Sequence, residues 1–182
     1  MESQIIKIIK ENDNWEQVIQ ALGIKIKRDE NLAIFNYGIG CDFSNPIVKE
    51  ARGIIIDIDK LEACGIGFNK FFNVQETFAD PIDWENCRVE DKIDGSIVKL
   101  WYREGYGWWW STNSCISASE APVQGSSRTY LDVIKSAYNI KDIDFNNLKT
   151  EYTYIFELVS PETQVVIHYP VTKLYHIGTR NN

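Results

Sequence analysis

The segment 92–96, with the sequence KIDGS, is the part of the chain whose residue types most clearly suggest covalent chemistry. A strand-like run precedes Lys92, Asp94 and Gly95 form a turn signal, and residues 97–102 continue as a strand. This pattern predicts a lysine at a strand end, where partial burial and neighbouring cations lower its pKa towards that of a usable nucleophile. The same residues also fit a surface lysine before an ordinary hairpin turn, and the motif alone does not separate the two.

Three other charged residues stand in unusual surroundings. Arg52 directly precedes the apolar run 53–56, so its planar guanidinium could face a phosphate, although a strand-edge salt bridge is the common role of such an arginine. Lys70 is flanked by Phe and Asn residues, a pattern that also fits a core strand with a snorkelling lysine. Glu157 interrupts an apolar strand, where a carboxylate needs a partner such as a sugar hydroxyl or a cation.

The elements that must position these residues follow from hydrophobic periodicity. Residues 2–22 and 129–138 have helical spacing, whereas most of the intervening chain alternates with a period of two. The predicted strands are 24–27, 32–37, 53–58, 63–68, 97–102, 107–111, 152–159 and 171–177. The prediction is an α+β fold dominated by antiparallel sheet with flanking helices, in one domain covering residues 1–182. The tryptophans at 108–110 are expected to be core residues of a strand rather than a base-stacking platform.

Composition and charge narrow the possible partners. The chain has 19 Lys and Arg against 26 Asp and Glu, a net charge of −7, so a nucleic acid or nucleotide must bind in a local basic pocket. No stretch has the length of a transmembrane helix, and the N-terminus does not have the pattern of a signal peptide. The four cysteines are widely spaced and there are two histidines, which favours reduced thiols in the cytoplasm and predicts no metal ligands.

Four segments in order resemble a known enzyme family. They are residues 45–53 (NPIVKEARG), 68–73 (FNKFFN), 92–96 (KIDGS) and 156–161 (FELVSP). The third is similar to the nucleotidyl-lysine motif of covalent nucleotidyltransferases. All four together resemble the ATP-dependent RNA ligases of the phage RNA ligase 1 type, over residues 35–179.

The resemblance implies a reaction in three steps, with ATP and Mg²⁺ as cofactors. A lysine attacks the α-phosphorus of ATP and forms lysyl-AMP, AMP passes to an RNA 5′-phosphate, and the RNA 3′-hydroxyl then seals the break, as in RNA repair. Residue by residue, it implies that Lys92 is the nucleophile and that Arg52 and Lys70 hold the phosphates. The remaining ATP-binding residues that it implies are the turn residues Asp94 and Gly95, the nucleoside-end carboxylate Glu157, and the pocket residue Tyr37.

The chain also departs from the family pattern. We find neither the later strand with a metal-binding glutamate nor the strand with paired lysines, and no C-terminal RNA-binding domain. We therefore expect either the N-terminal part of a longer ligase or a natural remnant, and slow self-adenylylation by this chain alone. Two alternatives stay open: a non-catalytic nucleotide- or RNA-binding remnant, and a DNA ligase or capping-type enzyme.

Overall fold

The computed structural model describes residues 3–182, which form two antiparallel four-stranded sheets and few helices. The first sheet has the order β1-β2-β3-β4, and the second has the order β6-β5-β7-β8. The strands are β1 (Ile24–Asp29), β2 (Leu32–Tyr37), β3 (Arg52–Asp57), β4 (Glu62–Gly65), β5 (Ser96–Arg103), β6 (Gly107–Thr112), β7 (Tyr152–Val159) and β8 (Lys173–Asn181). The predicted α+β class with mainly antiparallel sheet is confirmed.

Helices cover the outer face of each sheet. The helices are α1 (Gln4–Glu11), α2 (Trp15–Ala21), α3 (Pro46–Glu50) and α4 (Tyr130–Lys135), with 3-10 turns at Ala118–Glu120, Ile140–Asp142 and Pro161–Thr163. The α1 and α2 isoleucines pack with Ile54 and Ile56 of β3. On the second sheet, α4 packs with Val98 and Leu100 of β5. None of the helices within residues 3–182 has the length and apolar character needed to cross a membrane.

A third core lies between the sheets. It contains Ile55 of β3 and Trp101 of β5, whose side chains alternate with those that face the helices. By the same alternation, Lys99 on β5 and Glu157 on β7 share the inward-facing side of the second sheet. The space between the sheets is therefore where charged side chains from both sheets can meet.

Several local predictions were wrong in their boundaries. The helix expected over 2–22 is two helices, because Asn12 ends α1 with an extended backbone and donates its side-chain amide to the carbonyl of Ile8. Residue 2 lies outside the described residues. The strand expected over 63–68 ends at Gly65, because the Ile66 N–H donates to Thr153 Oγ1 of the opposite sheet instead of to β3.

Candidate active site

Lys92 lies on an exposed segment without regular structure, four residues before β5 begins. The strand expected to lead into it is absent, because the described residues 66–95 form no strand. The prediction that Lys92 closes a strand and is partly buried was therefore wrong: it precedes one and is exposed. Its position instead depends on how the next three residues are attached to the second sheet.

Gly95 attaches the Lys92 segment to β7. Its N–H donates a hydrogen bond to Glu157 Oε1 at 3.0 Å. A Cβ atom on residue 95 would lie 2.4 Å from the carbonyl oxygen of Leu158, a distance that backbone packing does not permit. Glycine is therefore required here for close approach to β7.

Asp94 attaches the same segment to a second part of the chain. Its Oδ2 accepts hydrogen bonds from the N–H groups of Ile167 and Val166, both at 2.7 Å, and these bonds hold the pKa of the Asp94 carboxyl below its usual value. The Asp94 N–H donates to the hydroxyl of Tyr169 at 3.3 Å. The segment 166–169 was not identified from the sequence, because backbone N–H donors leave no residue-type signal.

Glu157 is 9% exposed on the inward face of β7. Burial raises the pKa of its carboxyl, while the Gly95 hydrogen bond and the positive charges of Lys92 and Arg52 act in the opposite direction. Asp94 adds to the rise through its negative charge. The two cations thus lie within electrostatic reach of one buried carboxylate, which joins the nucleophile candidate to the phosphate-binding candidate.

Arg52 opens β3 and is held by the segment that follows β4. Its Nη1 donates to the carbonyl of Asn69 at 3.2 Å, and its guanidinium stacks on the Phe71 ring, 4.6 Å from the ring centre. These contacts use one edge and one face of the guanidinium. The remaining N–H groups stay available for a second planar acceptor such as a phosphate.

Lys70 lies on the same 69–72 segment. Its Nζ donates to the carbonyl of Phe71 at 2.9 Å and lies 4.6 Å from the centre of the Phe72 ring. Lys49, at the end of α3, places its Nζ 5.6 Å from the same ring, and its carbonyl accepts the Lys70 N–H at 2.8 Å. Two ammonium groups on one ring repel each other, so a bound anion would stabilise this arrangement.

Tyr37 reaches this cluster through two aromatic contacts. Its ring lies edge-on against Phe43 at 5.0 Å between centres, and Phe43 lies against Phe72 at 5.4 Å. The seven candidate residues therefore form two connected groups. Lys92, Asp94 and Gly95 gather around Glu157, whereas Lys70 and Tyr37 gather around Phe72, with Arg52 between the groups.

A cleft of about 1370 Å³ elsewhere in the molecule has a different lining. It is bordered by Asp57, Lys60 and Arg180, and Lys92, Arg52 and Glu157 are not part of its wall. We assign the candidate site to the groups around Glu157 and Phe72, because the hydrogen bonds and charge interactions described above join them.

The tryptophans at 108–110 are each half-buried against other rings, including Trp101, Tyr154 and Phe156.

Within residues 3–182, no three His, Cys, Asp or Glu side chains are grouped so that they could hold a metal ion. The described residues thus do not fit a protein-held magnesium site of the kind built from carboxylates.

A family model described as RNA ligase matches residues 50–182, nearly three quarters of the chain. This chain belongs to the RNA ligase family. The matched range contains Arg52, Lys70, Lys92 and Glu157, whereas Tyr37 lies before it.

Two curated proteins are similar to this member of the RNA ligase family over nearly its whole length. The first is a putative bifunctional polynucleotide kinase/RNA ligase of Autographa californica nuclear polyhedrosis virus, 28% identical over 94% of this chain and 27% of the relative. The second is an RNA ligase of Rhodothermus phage RM378, 25% identical over 97% of this chain and 48% of the relative. The chain thus spans about a quarter and about half of their lengths.

Proposed function

We propose that this chain carries out the nucleotidyl-transfer chemistry of an ATP-dependent RNA ligase, with Lys92 as the nucleophile. The Lys92 amine, after losing a proton, attacks the α-phosphorus of ATP. A nitrogen–phosphorus bond forms, the bond to the bridging oxygen breaks, and pyrophosphate leaves. The resulting lysyl-AMP then donates AMP to an RNA 5′-phosphate, and the RNA 3′-hydroxyl displaces AMP as the phosphodiester forms.

The observation that carries this proposal is the double attachment of the Lys92 segment. Gly95 is bonded to Glu157, and Asp94 is bonded to the N–H groups of Val166 and Ile167. An exposed lysine on an irregular segment would otherwise sample many positions. Fixing the residues two and three places after Lys92 supports a role in which its amine must meet one phosphorus atom.

The charges around Lys92 support the same reaction. Phosphoryl transfer depends on positioning and on neutralising phosphate charge, rather than on acid–base groups such as histidine. Arg52 supplies a planar fork whose charge acts on Glu157, and Lys70 with Lys49 supplies two further cations beside Phe72. A net acidic chain can thus hold a triphosphate in one local basic site.

The RNA substrate is inferred from the relatives, since both of their names contain RNA ligase. We therefore assign the 5′-phosphate and 3′-hydroxyl ends of RNA as the groups to be joined. A DNA ligase or capping-type enzyme is the competing assignment from the motif alone. Label transfer from the adenylylated chain to 5′-phosphorylated RNA, compared with 5′-phosphorylated DNA and with GTP in place of ATP, separates these activities.

The decisive experiment incubates the chain with magnesium and α-labelled ATP over long times, followed by mapping of the modified residue. We expect acid-labile label on Lys92 and its loss in Lys92→Ala. Lys135→Ala is the matched control, since Lys135 is also exposed but lies on α4 away from the candidate site. This control should label as the wild type does.

Each outcome of this experiment decides between the hypotheses. Label on another lysine, or label that survives in Lys92→Ala, would overturn the assignment of the nucleophile. ATP binding without any covalent label would favour the non-catalytic remnant instead. Absence of ATP binding would exclude the proposed function and, of the remnant hypothesis, would leave only RNA binding.

A further inference from the structure

Lys99 is a fully buried lysine that the proposed reaction does not use. It lies on β5, three residues after the strand begins, and its neighbours Val98 and Leu100 face the helix-covered side. Alternation turns Lys99 to the inner side, with Trp101, between the two sheets. Burial lowers the pKa of its ammonium group to about 7, so near neutral pH much of the side chain is an uncharged amine.

The amine of Lys99 has its hydrogen-bond partner on the opposite sheet. Its Nζ donates to the carbonyl oxygen of Gly53, the residue directly after Arg52. Gly53 is the extra residue of a β-bulge, because Phe35 pairs with Ile54 whereas Asn36 pairs with Arg52. The extra residue of a bulge has no partner residue on the neighbouring strand. The Gly53 carbonyl oxygen therefore needs a hydrogen-bond donor from elsewhere in the molecule.

Only glycine fits at position 53 of this bulge. Its φ is +80°, and a Cβ atom would lie 2.7 Å from the carbonyl oxygen of Asn113. Arg52 begins β3 directly before this bulge. The direction of its side chain therefore depends on a bulge with one permitted backbone conformation, which Lys99 holds from the opposite sheet.

The stem of Lys99 also lies beside Gly67, at the start of the segment that carries Lys70. Its Cδ would be 3.6 Å from a Cβ atom at Gly67, and the Arg52 carbonyl oxygen would be 3.4 Å from the same position. Gly67 leads into residues 69–72. Carbonyl groups of this segment accept the hydrogen bonds of the Arg52 guanidinium and of the Lys70 ammonium. From the strand that follows Lys92, Lys99 thus bonds to the residue after Arg52 and lies beside the residue that leads into the Lys70 segment.

We infer that Lys99 is a positioning residue that holds the Gly53 bulge across the interface between the sheets and so directs Arg52 at the nucleotide phosphates. The inference rests on the proposed function for the role of Arg52. An apolar residue at position 99 would avoid the desolvation of an amine, but would leave the Gly53 carbonyl without this donor.

The experiment compares Lys99→Met, which keeps the length of the side chain without the donor, with Lys99→Arg, which keeps a donor. The matched control is Thr153→Val, since Thr153 is also fully buried and bonds across the sheets, to the Ile66 N–H at 3.0 Å. Amide hydrogen exchange at Gly53 and Ile54 reports on the bulge. Affinity for an ATP analogue with a methylene bridge between the α- and β-phosphorus atoms reports on Arg52 without turnover.

We expect faster exchange at Gly53 and Ile54 in Lys99→Met, no such change in Thr153→Val, and partial recovery in Lys99→Arg. Loss of one positioning hydrogen bond should weaken binding of the analogue about tenfold. In an Arg52→Ala background, the same Lys99→Met change should alter binding by less than about twofold, because the residue through which it acts is gone.

Two results would overturn the inference. One is unchanged exchange at Gly53 and Ile54 in Lys99→Met. The other is an equal loss of affinity with and without Arg52, which would mean that Lys99 acts on the nucleotide by another route. Absence of analogue binding by the wild type would instead overturn the proposed function, and with it the role of Arg52, while hydrogen exchange would still decide whether Lys99 holds the bulge.

Discussion

The N–H of Gly95 and the carboxylate of Glu157 meet at 3.0 Å, although 62 positions separate them in the chain. This hydrogen bond joins the segment that carries Lys92 to β7, one of the two central strands of the second sheet. Because the same carboxylate senses the charges of Lys92 and Arg52, its position links the first sheet to the second at the candidate site.

Substituting Gly95 by Ala should detach the Lys92 segment from β7. The added methyl group would approach the Leu158 carbonyl to 2.4 Å, and relieving that contact should lower the free energy of unfolding by about 1–3 kcal/mol. Urea unfolding measures this change, and self-adenylylation should fall with it. Gly105→Ala is the control, because that glycine has φ +79° and open space around it, so its effect comes from backbone strain alone. Wild-type adenylylation by Gly95→Ala would contradict the close packing.

Substituting Asp94 by Ala should release the segment 166–169. The Val166 and Ile167 N–H groups lose the carboxylate that accepts both of them, so their hydrogen exchange should become faster while exchange in the α4 core stays unchanged. In the wild type the carboxylate has a lowered pKa, so its stabilising effect is present above the ordinary carboxyl pKa and is lost as the pH falls through the folded value. Equal exchange at the two sites in Asp94→Ala and wild type would show that another contact holds the segment.

Arg52→Lys should recover only part of what Arg52→Ala loses in nucleotide affinity. The lysine keeps a positive charge but cannot both stack on Phe71 as a plane and donate to the Asn69 carbonyl. Calorimetric titration with the methylene-bridged ATP analogue measures the difference. Full recovery by lysine would mean that Arg52 acts as a point charge and that its stacking is incidental.

Lys99 should give the chain a rise in stability from pH 7 to pH 9. The amine has a folded pKa of about 7 against 10.5 for an ordinary lysine, so in this range the unfolded chain binds a proton that the folded chain lacks. Unfolding then takes up a proton, and the free energy of unfolding rises by at most about 1.4 kcal/mol per pH unit. Above pH 9 a second group acts in the opposite direction. Burial raises the pKa of the nearby Cys64 thiol from 9.0 to about 11, so the unfolded chain loses this proton before the folded chain does. The measured range therefore stops at pH 9.

The measurement is urea unfolding of the wild type and Lys99→Met at pH 7, 8 and 9. The difference in stability between the two proteins should move in favour of the wild type as the pH increases. A constant difference would show that Lys99 stays charged in the folded chain, and hence that its burial is compensated by other groups.

The sequence by itself determined the family and most of the strands, and it supplied the candidate residues of the site. Period-two alternation predicted β2, β3, β5 and β7 within a few residues, because one face of each strand must be apolar wherever a sheet packs against helices. The lysine motif at residues 92–96 and its three companion segments identified the family from local residue types alone. Lys99 also interrupts an apolar run, and the reasoning applied to Glu157 would have singled it out.

Only the tertiary structure decided what these residues contact. Asp94 meets backbone N–H groups 72 and 73 residues away, and Lys99 meets a carbonyl 46 residues away, so neither partner has a signal in the local pattern. The exposure of Lys92 was also decided by the tertiary structure, since no strand pairs with the residues directly before it. Local spacing sets which face of a strand a side chain occupies, whereas the packing of two sheets sets which distant backbone group that side chain meets.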